Sequence, residues 1–145
     1  MSVEILTKAQ QATVVAAIEA AEHQTSGEIR IHLEKKCAVE PIERAHQLFL
    51  ELGMQQTQAR NGVLIYVAYD DRKMAICGDE GIHAVVGDGF WQSTYELMRK
   101  HFAQDQLCEG LIAGVDQAGQ QLKKYFPYQT DDQNELPNTI SFGNE

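Results

Sequence analysis

The stretch NGVLIYVAYDDRKMAICGD, residues 61–79, decides the fold. Asn61-Gly62 is a turn signal. Val63 to Tyr69 is an apolar run, which suits a strand covered on both faces in the middle of a sheet. Asp70-Asp71-Arg72 is a short polar break, and Lys73 to Cys77 resumes as a strand. Two such runs around a polar turn predict an antiparallel hairpin.

Upstream, Glu28 to Leu33 alternates Ile29, Ile31 and Leu33 with Glu28, Arg30 and His32, which predicts a strand with one wetter face. Between the two strands, Pro41 opens a helix at its first turn. Ile42, Ala45, Phe49 and Leu52 recur along it at helical spacing, and Gly53 ends it. Strand, helix and strand make a βαβ unit, so the two strands run parallel with a right-handed crossover. Thr7 and Gln10 read as a capping box for an earlier helix that runs to about Glu22. Thr25-Ser26-Gly27 breaks that helix before the first strand.

Downstream, Gly78, Gly81, Gly87 and Gly89 punctuate a long connection. Trp91, Tyr95, Met98 and Phe102 mark a third helix. Leu111, Val115, Ala118, Leu122 and Phe126 mark a fourth, which Pro127 ends. From Asp131 to Glu145 the chain has four acidic residues and no basic ones. Leu136, Ile140 and Phe142 favour some packing of this tail. The expected architecture is a three-layer α/β/α sandwich: a small mixed sheet, made of a βαβ unit plus an antiparallel hairpin strand, between helices. Nothing divides residues 1–145 into more than one domain, the acidic extension 131–145 included.

The chain has 145 residues, enough for a core without disulfide or metal staples. Its 21 acidic and 12 basic residues give a formal charge of −9, a field that repels nucleic acid and attracts cations. Cys37, Cys77 and Cys108 are odd in number and form no CxxC pair, which fits a reducing compartment. The N-terminal residues lack a signal pattern and no apolar run reaches a membrane-spanning length. A cytoplasmic protein that neither binds nucleic acid nor inserts in a membrane is expected.

The sequence carries no GxxxxGK[ST], HExxH, GxSxG or strand-linked GxGxxG motif. Its acidic pairs are therefore the main candidates for function. Asp70 and Asp71 lie at the hairpin tip, at the carboxyl end of a parallel strand, where open α/β sheets bind ligands. Glu34, ending the first strand, belongs near them. Adjacent carboxylates repel each other, and a hard cation such as Ca²⁺ or Mg²⁺ relieves the repulsion. The same residues also make an ordinary Asp-rich turn. Asp79 and Glu80 lie at the opposite sheet edge, with Asn61 beside them and Glu28 approaching. They read either as oxygen ligands or as a glycine-bearing turn. Asp88, between two glycines, serves a helix N-terminus or a metal.

The segments TSGEIRIHLE, RNGVLIYVAYDDRKMAICGDEGI, FW, GLIAGVDQAGQQL, YFP and NELPNTISF together resemble the TPM-domain family, from about Ala17 to Phe142. The likeness is to its short bacterial members. The resemblance implies an α/β/α sandwich that binds divalent cations, chiefly Ca²⁺, in acidic loops at the sheet edges. Carried over by position, Asn61, Asp70, Asp71, Asp79 and Glu80 would be metal ligands and Arg72 a phosphate-binding residue. Some plant members are described as acid phosphatases. Two functions are thus expected in order: a non-catalytic cation-binding domain that acts through a protein partner, and a metal-assisted phosphomonoester hydrolase with Arg72 gripping the phosphate.

Overall fold

A computed structural model describes residues 5–87, 89–128 and 138–143. Among them, the elements in chain order are α1 (Lys8–Glu22), β1 (Glu28–Glu34), α2 (Pro41–Glu51), β2 (Gly62–Ala68), β3 (Lys73–Gly78), α3 (Glu80–His83), α4 (Gln92–Phe102), α5 (Leu107–Lys123) and β4 (Ser141–Gly143). The chain folds as an α/β sandwich around one mixed sheet of order β3-β2-β1-β4.

The local signals act as their chemistry requires. Thr7 accepts from the Gln10 backbone N–H while the Gln10 side chain takes the Thr7 N–H, so both free donors at the start of α1 are satisfied. Glu28 of β1 is in register with Gly62 of β2 and Glu34 with Ala68, in parallel. β3 returns antiparallel to β2, with Ala68 opposite Lys73 and Val63 opposite Gly78. All seven residues of β2 are buried, as a strand between two layers demands.

Ile29, Ile31, Leu33, Val63, Ile65 and Val67 point to a core shared with Val14 and Ile18 of α1, Met98 of α4 and Leu111, Val115 and Leu122 of α5. Leu64, Tyr66, Ala68, Ala75 and Cys77 point the other way, against Ala45, Leu48 and Phe49 of α2. Among the described residues, α1, α4 and α5, with Ile82 of α3, therefore cover one face and α2 the other. In α5, Gly110 and Gly114 sit where a Cβ would strike Phe102 and Met98, so these glycines let α4 lie close.

Four expectations are revised. β1 has no wet face: Glu28, His32 and Glu34 are each at most 3% exposed. The alternation was read correctly, but Glu28, His32 and Glu34 are enclosed, and Arg30 alone of that face is part-exposed. Ile42 of α2 faces solvent (44% exposed), so the apolar arc of that helix is wider than the sheet can cover. The long glycine-rich connection contains the one-turn helix α3, started by Asp79, whose side chain accepts from the Glu80 N–H. Finally, β4 extends the sheet, parallel to β1, with His32 in register with Ser141. Ile140 packs on the larger core as expected, whereas Phe142 is exposed. Leu136 and Asp88 lie outside the described residues, as do Asp131, Asp132 and Glu135. Among the described residues no helix is long and apolar enough to cross a membrane.

Gly81 is a sharp test of this packing. A Cβ there would fall on the carbonyl oxygens of Ala59 and Arg60, whereas one on Gly87 would meet nothing within 4 Å. Backbone atoms cannot step aside as a flexible side chain can. Gly81→Ala should therefore cost about 1–3 kcal/mol by overpacking, and Gly87→Ala should stay within about 0.5 kcal/mol of the parent. Urea unfolding followed by circular dichroism measures both.

Candidate functional site at the two ends of the sheet

The strand order sends the acidic pairs to opposite ends of β2. Asp70, Asp71 and Arg72 occupy the β2–β3 turn, at the carboxyl end of the parallel strands. Asn61, Asp79 and Glu80 occupy the other end. Six strand steps, about 20 Å, separate the two. They are two separate places, as the strand layout predicts.

At the carboxyl end, the exposed acids are the less engaged ones. Asp70 is half exposed and lies 4.0 Å from Lys35 Nζ. Asp71 Oδ2 accepts from the Cys37 N–H at 2.8 Å and so fastens the loop after β1. Arg72, in a left-handed backbone conformation (φ 54°), lies 3.5 Å from Asp105, both largely exposed.

Beneath them, Glu34 is 1% exposed and fully satisfied. Arg44 of α2 grips it with two bonds, Nε to Oε2 at 2.8 Å and Nη2 to Oε1 at 2.9 Å. Tyr66 donates its hydroxyl to Oε2 at 2.5 Å. His32 Nε2 lies 3.1 Å from Oε1, and Ser141 Oγ is 2.8 Å from His32 Nδ1. Burial opposes the charge on Glu34, but the bonds from Arg44, Tyr66 and His32 overcome it and hold the carboxyl at about 2. Burial pushes His32 below its ordinary value despite Glu34. A neutral His32 that donates from Nε2 to Glu34 accepts at Nδ1 from Ser141.

At the opposite end, Arg60 also has a left-handed backbone (φ 51°). Its guanidinium grips Asp79 with bonds of 2.8 and 3.0 Å and reaches Glu80 Oε1 at 3.1 Å. Asn61 is 1% exposed. Its backbone is held at both ends, the N–H to Thr57 Oγ1 at 3.2 Å and the carbonyl to the Glu28 N–H at 3.3 Å. Its side-chain nitrogen lies 3.5 Å from Ser26 Oγ, while its buried Oδ1 has no partner. Beside this segment, Glu22 Oε2 accepts from the Ile29 N–H at 2.9 Å. Burial, together with the neighbouring Glu28 carboxylate, pushes Glu22 up to about 8. Glu22 therefore keeps its proton to near neutrality, as a carboxyl enclosed beside a second one does.

The five metal candidates thus divide into Asn61, Asp79 and Glu80 at one end and Asp70 and Asp71 at the other. Among the described residues no three His, Cys, Asp or Glu side chains stand close enough together to hold a metal ion. The donor set of the Asn61 end is mixed: an amide oxygen, a hydroxyl and carboxylates, all of them hard oxygens. Glu22, Arg60 and Ser26 escaped the sequence reading. Arg60 precedes a recognisable turn, but nothing local shows that it will meet an acid 19 positions on. Cys37, Cys77 and Cys108 are free and buried, and burial pushes Cys77 up to about 11, which suits a packing role.

A parallel βαβ unit extended by a hairpin, with polar clusters at both sheet ends, defines an α/β sandwich of the TPM type. The chain belongs to the TPM-domain family: the family model described as TPM domain matches residues 2–121. Among solved structures, it is similar to the BA42 protein from the psychrophilic bacterium Bizionia argentinensis, at 47% identity over 97% of both chains with a TM-score of 0.92. Two further structures share the fold. One is the N-terminal domain of a protein from P. gingivalis (20% identity, 86% of this chain and 82% of that chain, TM-score 0.70). The other is the N-terminal domain of the cg2496 protein from Corynebacterium glutamicum (12% identity, 97% and 81%, TM-score 0.64). No curated protein matches the chain.

Two outcomes follow from these clusters. Glu34 has a depressed value, so its contribution to stability is complete above about 4.5 and disappears as pH falls toward about 2. Removing its main partner strands a buried charge: Arg44→Leu should cost about 3–5 kcal/mol near pH 7, and the double change Glu34→Met/Arg44→Leu should recover much of that loss. Denaturant midpoints of the three proteins test this. Glu22 has the opposite sign. Its folded form keeps a proton that the unfolded chain releases, so stability falls as pH rises from about 4.5 to about 8. Glu22→Gln should therefore be more stable than the parent at pH 8.5, and the difference should vanish at pH 4, as melting curves across that range would show.

Proposed function

We propose that the chain is a divalent-cation-binding domain, for Ca²⁺ or Mg²⁺, that acts through a protein partner rather than by catalysis. The observation that carries the reading is the buried, unpartnered Oδ1 of Asn61. A buried acceptor without a donor costs about 1–3 kcal/mol. A hard cation is one species that would satisfy it, and two oxygens of the right class belong to this end: the Ser26 hydroxyl, 3.5 Å from the Asn61 side-chain nitrogen, and the Glu22 carboxyl that accepts from the Ile29 N–H. Glu22 would surrender its proton to serve as a ligand. Cation binding here would release protons.

The net charge of −9 supports the reading by concentrating cations around the domain. The acids of the carboxyl end support it less. Asp71 already serves the Cys37 N–H, and Glu34 is neutralised by Arg44. The preference for binding over phosphate ester hydrolysis rests on the same pattern: the carboxylates are spent on partners inside the chain, and Arg72 faces Asp105.

Metal-free protein labelled with ¹⁵N should be titrated with Ca²⁺ and Mg²⁺. The amides of Ser26, Glu28, Asn61 and Asp79 should move saturably, with a Kd on the order of 10⁻⁴–10⁻³ M, because few ligands are held ready. Asn61→Ala should weaken binding about tenfold. Movement confined to Asp70–Arg72 would assign the ion to the other end. An unchanged spectrum at ~10 mM of either ion would end the cation reading.

A further inference from the structure

Among the described residues α2 is the only helix on its face of the sheet, and it leaves apolar surface exposed. Ile42 is 44% exposed and Leu50 63%, and Val39, just before the helix, is 40% exposed. Ile42, His46 and Leu50 recur every fourth residue, so they form one stripe along about 12 Å of helix. Ala45, Leu48 and Phe49 form the adjoining buried face. The apolar arc of α2 is thus broader than the sheet it packs on. A helix that only covers a sheet needs a stripe about 100° wide, with polar residues elsewhere.

Along α2 itself the charge bordering this stripe is acidic, whereas Lys35 and Lys36 lie beyond its start, beside Val39. Glu40, Glu43 and Glu51 are all exposed. The one basic residue of α2, Arg44, is spent on Glu34 through two hydrogen bonds. Three carboxylates therefore edge an apolar strip with no cation of the helix left to balance them. A second copy of the chain would bring the same three acids, and a further charge of −9, against them. Charge complementarity selects a partner of the opposite sign.

We propose that the α2 face docks a basic amphipathic helix of another protein. Its apolar side would lie over Val39, Ile42, His46 and Leu50, and Lys or Arg along its border would meet Glu43 and Glu51. Helix against helix fits the i, i+4, i+8 spacing, since ridges of that spacing interlock with those of a facing helix. The face does not depend on cation binding at Asn61. It gives the protein partner invoked above a chemical class.

The test is an NMR titration of the ¹⁵N-labelled chain in EDTA, which separates it from the metal experiment. The probe is a synthetic helical peptide with a leucine stripe bordered by lysines. A second peptide has the same stripe and glutamates in place of the lysines. The lysine peptide should shift the amides of Ile42, His46 and Leu50 saturably, and binding should weaken as salt is raised. Ile42→Asp/Leu50→Asp should weaken it about tenfold or more. Both residues are exposed, so the fold should persist, as the spectrum of the variant will show. Glu43→Lys/Glu51→Lys should also weaken it while leaving the apolar stripe intact. Three results overturn the proposal: no saturable shift on α2; equal binding of the glutamate peptide; or shifts spread over the acidic surface that the Asp variant leaves unchanged. Sedimentation that shows a dimer of the free chain, lost in Ile42→Asp/Leu50→Asp, would also overturn it by giving the face to a second copy.

Discussion

The buried carboxylate of Glu34 ties the two halves of the sandwich together. It ends β1 at 1% exposure and receives bonds from Arg44 on α2, Tyr66 on β2 and His32 on β1. Through His32 it reaches Ser141 on β4. Four elements distant in sequence thus converge on one charge. A lone carboxylate in such a place would be driven to its neutral form; three donors reverse that preference. α2 packs chiefly over β2 and β3, so the bidentate Arg44 bond is what reaches across to β1. Gly143 belongs to the same arrangement, because a Cβ there would press on His32 Nε2 and Glu34 Oε1. The third residue of β4 must be small for the strand to lie against its anchor.

The two ends of the sheet have opposite character. At the carboxyl end the polar groups close on one another and leave few loose acceptors. Their role is cohesion, and they specify how α2 and β4 dock. A left-handed Arg occurs at both ends, but at the other end the chain also accepts a carboxyl at Glu22 that burial keeps protonated and an amide oxygen without a donor. Each is individually small, yet they gather within the turn that joins α1 to β1 and the turn that leads into β2. Clustered local costs of this kind support the proposed use of this end as a binding place.

The fold was readable because its signals are short-range. A two-faced apolar strand, a polar turn and a helix opened by Pro41 give the sheet, its parallel pair and its hairpin from neighbours a few residues apart. β4 was not readable: three residues with no strand-like run of their own are held by register with β1 and by Ser141 on His32, contacts 109 positions apart. Polarity in β1 misled for a related reason. Alternation of Glu28, Arg30 and His32 says which side of the strand they take, but not whether water or partners lie there. The acidic pairs were placed correctly at the two sheet ends. Which acids were already occupied depended on Arg44 and Arg60, whose targets lie 10 and 19 positions away.

That occupancy bears on how a cation could be accommodated at the Asn61 end. Arg60 is 40% exposed but the Asp79 side chain is only 6% exposed, so release of Arg60 would strand an enclosed carboxylate and the pair resists displacement. The Asn61 oxygen has no bond to lose. A further opposing term is the proton on Glu22, which must leave before its carboxylate can serve a dication. Such a place would take a cation weakly at neutral pH and more strongly as pH rises toward the value of Glu22, about 8. Glu34, held at about 2 by Arg44, has no such latitude. The contrast follows from the partner each carboxyl meets: a guanidinium fixes the charge of one, and a second carboxyl leaves the charge of the other open to exchange.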